Sequence, residues 1–469
     1  MKKYIYICFA WVMMSCNDFV DVIPKGNTIP ETVDDLAKMM NNSSFGSTRR
    51  ESSEVSCSLS DNITLYSDDY TVTDNPESWA YSSVNNPIIR NICAWADYVY
   101  DEAEEDYDWN KLYKSNYIVN YIINNIDHVK DGISYRREEV KGEALVHRAM
   151  NYFLLVNLYG KQYNEQTASE DLGVPLMLEA DINKQVPRAT VAKVYEQIFT
   201  DLNEALSLLK TDMPKFNHIP GRAAAYALRA RVYLWQQNYD KAYEDAVEAL
   251  KIRNQLIDYN TLVLLSPEDG PFYGIDNYEI NPCLNTEELY SRFYMDNGIS
   301  MLTYSPTMLS IIDQENDLRY KMFVGTLDGM YFNTITGRII HSGITTAEVW
   351  LTKAEAALRK SQPDVQEAIN ALDEVRIHRY QSATYQPTKI TDKKLLLTEI
   401  LKERRREIVY TEMSFLDHKR QNADPATARP MSRPAFGTTY TLPADDPHWQ
   451  LPIPLNVMAM NKLLIQNER

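Results

Sequence analysis

The stretch GRAAAYALRARVYLWQQNYDKAYEDAVEAL, Gly221 to Leu250, decides the fold. It reads as two helical periods joined at Gln237-Asn238-Tyr239. Ala230 and Tyr233 fall on one face of the first helix. Ala242, Ala246 and Ala249, spaced four and three apart, fall on one face of the second. Methyl-sized side chains there let two helix backbones approach closely, so the segment predicts a tight helical hairpin. One hairpin cannot cover its own apolar face, and the chain has to supply further helices.

The spacing resembles one tetratricopeptide (TPR) unit. Tyr226 stands at its fourth position, Ala230 at its eighth, Tyr239 at the turn, and Ala242 and Ala249 after it. Gln237 stands where that repeat prefers glycine. Upstream, Val191 to Leu209 reads as a helix capped by Thr190, and Glu138 to Tyr159 as another stopped by Gly160. Trp109 to Asp127 carries Leu112, Tyr113, Tyr117, Ile118, Tyr121 and Ile122 at helical spacing. Downstream, helices resume over Thr346 to Arg379, where Trp350, Ala354 and Ala357 face Ala368 and Leu372. The last long helix is expected over Asp392 to Met413, followed from Asn422 by a Pro-rich loop. Between 254 and 345, prolines and glycines from Pro267 to Gly343 interrupt the pattern, an insertion of about 90 residues. It holds Phe272, Tyr273 and Tyr278 in a polar loop, and Tyr331 and Phe332 near expected strands. The expected class is mainly α: a TPR-like helical-repeat scaffold with helical pairs within about 95–253 and 346–413. Loop-rich segments with small strands fill about 43–94, 254–345 and 422–469.

Ahead of the helices, Pro24 and Pro30 keep the chain extended until Thr32 caps a short helix through Val33, Leu36 and Met39-Met40. Residues 43–86 are polar loop with short alternating pieces such as Ile63-Thr64-Leu65-Tyr66. They carry Trp79 and Tyr81 in NPESWAYSS, and aromatics in so polar a segment predict an exposed recognition surface. Asp68, Asp69, Asp74 and Asn75 offer oxygens to calcium, but their spacing fits no calcium loop and reads as a solvated turn. The acidic run from Asp101 to Asp108 likewise reads as a solvated turn or helix face.

A net charge of −17 argues against nucleic acid and against a polybasic membrane surface. Five cysteines, Cys8, Cys16, Cys57, Cys93 and Cys283, form no C-x-x-C pair. Seven scattered histidines, from His128 to His448, include no pair at metal-ligand spacing. No G-x-G-x-x-G, Walker loop, G-x-S-x-G or H-E-x-x-H occurs. Neither an active site, a metal nor a cofactor is expected. The start, MKKYIYICFAWVMMSC, has a charged tip at Lys2-Lys3, a short apolar core, and Ser15-Cys16. It resembles a bacterial lipoprotein signal, with residues 1–15 removed and Cys16 acylated, although Met13 replaces the usual leucine.

Several segments, in order, resemble the SusD/RagB family: CNDFVDVIPKGN after Cys16, GEALVHRAMNYFLLVNLYG followed by LGVPLMLEAD, PRATVAKVYEQIFTDLNEAL, GRAAAYALRARVYL and TTAEVWLTKAEAALRK. EILKERRREIVYTEMSFLDHKRQ keeps that family's Glu403, Arg404, Glu407, Asp417 and Arg420, and departs at Thr411, Glu412 and Ser414. With Arg406, these charges read as a structural ion-pair network rather than a catalytic group. The resemblance implies a single SusD-like domain over 16–469, anchored through Cys16 to the outer face of the outer membrane. It implies a SusC-like TonB-dependent transporter as partner, met by the TPR-like side, and no catalysis. On the opposite, loop-rich side it implies capture of an oligosaccharide, or in some members a peptide, and Trp79, Tyr81, Tyr273 and Tyr278 are the expected ligand residues. A pure protein-interaction scaffold, with these aromatics buried and no small ligand, is the reading of a different class.

Overall fold

The computed structural model describes residues 30–41, 50–51, 55–56, 59–72, 86–130, 133–263, 285–295, 303–327, 329–333, 339–341, 343–409 and 411–469. The first helices are α1 (Val33–Asn41), α2 (Pro87–Cys93), α3 (Tyr107–Asn125), α4 (Ser134–Tyr159) and α5 (Val191–Leu208). Thr32 starts α1 through a reciprocal cap: its Oγ1 accepts from Asp35 N–H at 3.1 Å, and its own N–H donates to Asp35 Oδ2 at 3.2 Å. Val33, Leu36 and Met40 then bury against Ile118, Val119 and Ile122 of α3 and Ala144 of α4. Thr190 caps α5 as its side chain demands, accepting from Lys193 N–H. Gly160 ends α4 with φ −107, so left-handed freedom is not its purpose; an added Cβ would sit 2.7 Å from Val156 O.

The hairpin is α6 (Arg222–Trp235) and α7 (Tyr239–Ile252). Ala230, Ala242, Ala246 and Ala249 are all buried. Gln237 adopts φ 60, the left-handed turn position in which glycine costs least. Asn238 then caps α7 by accepting from Lys241 N–H. Arg229 closes the pair from outside, donating to both carboxylate oxygens of Asp245.

The insertion contributes two short helices, α8 (Pro306–Leu309) and α9 (Leu318–Phe323). The array then resumes with α10 (Thr346–Arg359), α11 (Val365–Ile377), α12 (Lys393–Glu407) and α13 (Met413–Asn422), and α14 (Leu455–Met460) lies near the end. Helix α10 packs directly on α7, so the stack continues as if the insertion were absent. Ala354 and Ala357 of α10 share a cluster with Ala368 and Leu372 of α11 and Leu396 and Ile400 of α12. Strands are short and, in the paired registers, antiparallel. β1 (Arg50–Glu51) pairs with β6 (Phe293–Met295), which pairs with β10 (Ile339–His341). β2 (Tyr70–Thr71), β7 (Thr303–Tyr304), β9 (Met330–Asn333) and β8 (Val324–Leu327) form a four-stranded sheet in that order. β3 (Leu172–Pro175) pairs with β4 (Arg188–Thr190), and β5 (Glu288–Tyr290) with β11 (Ile344–Thr345).

Several sequence expectations change. Ile63 to Tyr66 belongs to a 3-10 helix, Asp61–Tyr66, in which Ile63, Leu65 and Tyr66 are all buried. The expected helix over Asp392 to Met413 ends early: α12 stops at Glu407, the Thr411 hydroxyl donates to Ile408 O and accepts from Met413 N–H, and a separate helix, α13, begins at Met413. The tail after Asn422 is not all loop. β12 (Met431–Ala435) and β13 (Thr438–Leu442) form a hairpin whose two turn residues, Phe436 and Gly437, have φ 53 and 71. The acidic run is solvated only at its start. Asp106 caps α3 and accepts from Tyr159 OH at 2.8 Å, and Asp108 accepts from Ser60 N–H and hydroxyl. Burial pushes the Asp108 carboxyl up to about 8, with the neighbouring Asp106 charge adding to it.

Candidate ligand-binding site

The charged block holds the loop-rich side to the helices. Successive residues of α12 point about 100° apart, and each of three reaches a different part of the chain. Glu403 accepts from Arg319 of the insertion, from Arg376 of α11 and from Arg406. Arg404 turns inward, donating to Glu348 of α10 at 3.0 Å and to Asp417 of α13 at 2.9 Å. Arg420 extends that line to Glu355, and Arg231 of α6 meets Glu348 from the other side. Arg405 reaches Asp68 and Asp69, more than 330 residues away. Glu407 joins Arg319 and Arg379, and Arg379 also binds Glu287. Burial alone would raise the Glu403 carboxyl, but Arg319, Arg406 and Arg376 overcome it and hold it far below the usual range. Burial also opposes ionised Asp417, and Arg420 with Arg404 still bring it to about 2. The expected network is present. Asp68 and Asp69 are not a solvated turn: they are 4% and 0% exposed and committed to Arg405.

This anchorage positions the four-stranded sheet. Ser305 N–H donates to Asp69 O at 2.7 Å, its hydroxyl donates to Asp68 O and accepts from Met308 N–H, and α8 starts there. The Thr303 hydroxyl donates to Thr71 O at 2.8 Å. On β9 the pleat alternates: Phe332 is 1% exposed in the core, and its neighbour Tyr331 turns the other way. The result is a cleft of about 570 Å3 lined by Thr71, Thr303, Tyr304, Pro306, Leu309, Ser310, Gln314, Gly329, Met330 and Tyr331. Its described lining holds hydroxyls, one amide, tyrosine rings and aliphatic groups, with no carboxylate, imidazole or ammonium. Such a surface suits hydrogen bonding and ring stacking rather than proton transfer.

Trp79, Tyr81, Tyr273 and Tyr278 lie outside the described residues, as does Cys16. In sequence, Trp79 and Tyr81 follow closely on Thr71, a residue of the cleft wall, and 296–302 lead directly into Thr303. The sequence singles out Tyr331 but not Thr71, Tyr304 or Gln314, which are isolated residues with no shared spacing. Among the described residues no group of three or more His, Cys, Asp or Glu is placed to hold a metal. No described helix is long and apolar enough to cross a membrane.

Two family models match the chain: one described as "Starch-binding associating with outer membrane" over residues 18–234, and one described as "SusD family" over 335–469. The chain is similar to the crystal structure of a SusD superfamily protein from Bacteroides thetaiotaomicron, with 22% identity over 93% of this chain and 100% of that one and a TM-score of 0.71. A SusD superfamily protein from Bacteroides fragilis is 19% identical over 93% and 100%, with a TM-score of 0.71. A SusD-like carbohydrate binding protein from Bacteroides vulgatus is 18% identical over 93% and 98%, with a TM-score of 0.64. At these identities the structural likeness speaks to the fold. No curated protein matches the sequence.

Proposed function

The chain belongs to the SusD/RagB family, whose members are non-catalytic binding proteins, and from that we propose that it is a glycan-binding lipoprotein of the cell surface. In this reading it is anchored through acylated Cys16, captures an oligosaccharide and delivers it to a SusC-like TonB-dependent transporter of the outer membrane. The family description names association with that membrane, and a relative is described as carbohydrate binding. The observation that carries the ligand class is the uncharged cleft beside β2, β7 and β9, with its hydroxyls and its Tyr331 and Tyr304 rings. Sugars present C–H faces to rings and hydroxyls to polar groups, and that surface offers both.

Trp79, Tyr81, Tyr273 and Tyr278 are the proposed stacking residues. The test is a glycan array on protein lacking residues 1–16, followed by titration of the bound glycan into Trp79→Ala. A stacked ring lost from an exposed platform weakens binding about 5- to 150-fold while the melting temperature holds. Early melting with normal binding would mark Trp79 as a core residue and move the site to the 254–345 insertion. Binding of peptides with no glycan hit would favour the peptide-binding reading.

A further inference from the structure

A second cavity, distinct from the sheet cleft, lies between the turn at Asp68, α8 and the residues after it, α12, α13 and the loop after α13. It measures about 400 Å3. Its walls combine the aliphatic Ile311, Leu401 and Ile408 with Asp68, Arg405 and Arg429. Arg405 spends Nε on Asp69 and Nη2 on Asp68, and among the described residues its Nη1 makes no hydrogen bond. Among the described residues Arg429 makes a single loose ion pair, Nη1 to Asp68 Oδ2 at 3.7 Å, and its side chain stays 35% exposed. Asp68 is 4% exposed, and among the described residues its Oδ2 accepts no hydrogen bond. His418 supplies no positive charge: burial, and then the Arg429 charge, drive its pKa well down, and Nε2 faces Arg429 O at 2.9 Å. Burial, and then the adjacent Arg405 charge, push the Arg429 pKa down, and the Asp68, Asp69 and Asp417 charges do not restore it. Arg429 thus turns toward the cavity a half-exposed guanidinium held, among the described residues, by one loose pair, a group that a further anion can engage. The other charges on the wall are already engaged: Asp417 by Arg404 and Arg420, and Lys402 by Glu399.

We propose that this cavity binds the carboxylate of an acidic sugar unit, a hexuronate, with the Arg429 fork and Arg405 Nη1 on the carboxylate and Asp68 Oδ2 accepting a ring hydroxyl. The choice of a sugar rests on the glycan-binding reading above; the choice of a carboxylate rests on the guanidinia. The loop wall speaks against a peptide strand, because its backbone donors are spent internally. Ala426 N–H goes to Asp424 Oδ1, Thr427 and Ala428 N–H to Asp424 O, and Arg429 N–H to Asn422 Oδ1. With those donors spent, an anion there has to be met by side chains.

The experiment uses the full-length lipoprotein in detergent and reads binding of the methyl glycosides of D-glucuronate and D-galacturonate by saturation-transfer NMR. Methyl glucoside and trialanine serve as the neutral and peptide arms. A uronate is expected to bind, methyl glucoside not, and Arg429→Ala to weaken the uronate about 10- to 100-fold. Ala426→Trp, at an exposed rim position that needs no folding allowance, is expected to block the same site. Failure of both uronates on a protein that binds glycans on the array overturns this inference and leaves the glycan reading intact. Trialanine binding in place of uronate overturns the sugar assignment, and uronate binding indifferent to both variants overturns the location.

Discussion

Between α6 and α7 the close contact is made by the methyl groups of Ala230, Ala242, Ala246 and Ala249, whereas between α10, α12 and α13 it is made by Glu348, Arg404, Asp417, Arg420 and Glu355. The two regions are equally buried. In the first, complementarity is a matter of volume, and any neighbour small enough will serve. In the second, each group has been taken out of water and is tolerable only while its partner stays in place. The alanine contact of the hairpin is thus locally specified and insensitive to charge, while the charged helix depends on residues hundreds of positions away. That dependence lets one helix tie the insertion, the array and the N-terminal segment together.

Removing a partner should therefore cost most. Glu403→Ala leaves Arg319, Arg376 and Arg406 facing one another without their shared carboxylate. A loss of about 3–5 kcal/mol in urea unfolding is expected; a loss below about 1 kcal/mol would mean the network contributes little beyond surface pairs.

Volume should come next. Ala230→Trp puts an indole where a methyl is 1% exposed. The expected destabilisation is about 3 kcal/mol, at the upper end for overpacking, and an unchanged melting temperature would show that the α6–α7 contact tolerates expansion.

The charge dependence can be read separately by pH. Asp417 is held at about 2 in the folded protein, below its unfolded value of about 3.9. The folded state binds that proton less readily, so the stabilisation is present above about pH 4 and is lost as pH falls through about 2. The stability gap between wild type and Asp417→Asn should be widest at pH 7 and shrink by roughly 2–3 kcal/mol toward pH 2. The gap between wild type and Ala230→Trp should not follow pH. If both gaps titrate alike, the two regions are not held by different means.

The smallest effect concerns the hairpin turn. Gln237 sits at φ 60, a conformation that costs a side-chain-bearing residue about 1 kcal/mol or more and glycine little. Gln237→Gly should raise the melting temperature by about 1 °C. A fall would mean that the lost side chain, or the looser unfolded chain, outweighs the relief.

What the sequence determined by itself is what nearest neighbours along the chain decide. The 3.6-residue period, the caps at Thr32 and Thr190, and the turn at Gln237-Asn238 depend on residues within about four positions. Each appears in the structure as its spacing requires. The ordered family segments carried the reading further, to a SusD-like fold. Tertiary structure alone decided the rest. Asp68 and Asp69 look like a solvated turn until Arg405 arrives from α12, and Asp108 looks like part of an exposed acidic face until Ser60 closes over it. The break between α12 and α13 interrupts a sequence with good helical period because the chain must reverse there to bring Asp417 and Arg420 back onto α10 and α12. The cleft draws Thr71, Tyr304, Gln314 and Tyr331 from separated segments. No local pattern records such a meeting, because side chains that converge through space need share neither spacing nor motif.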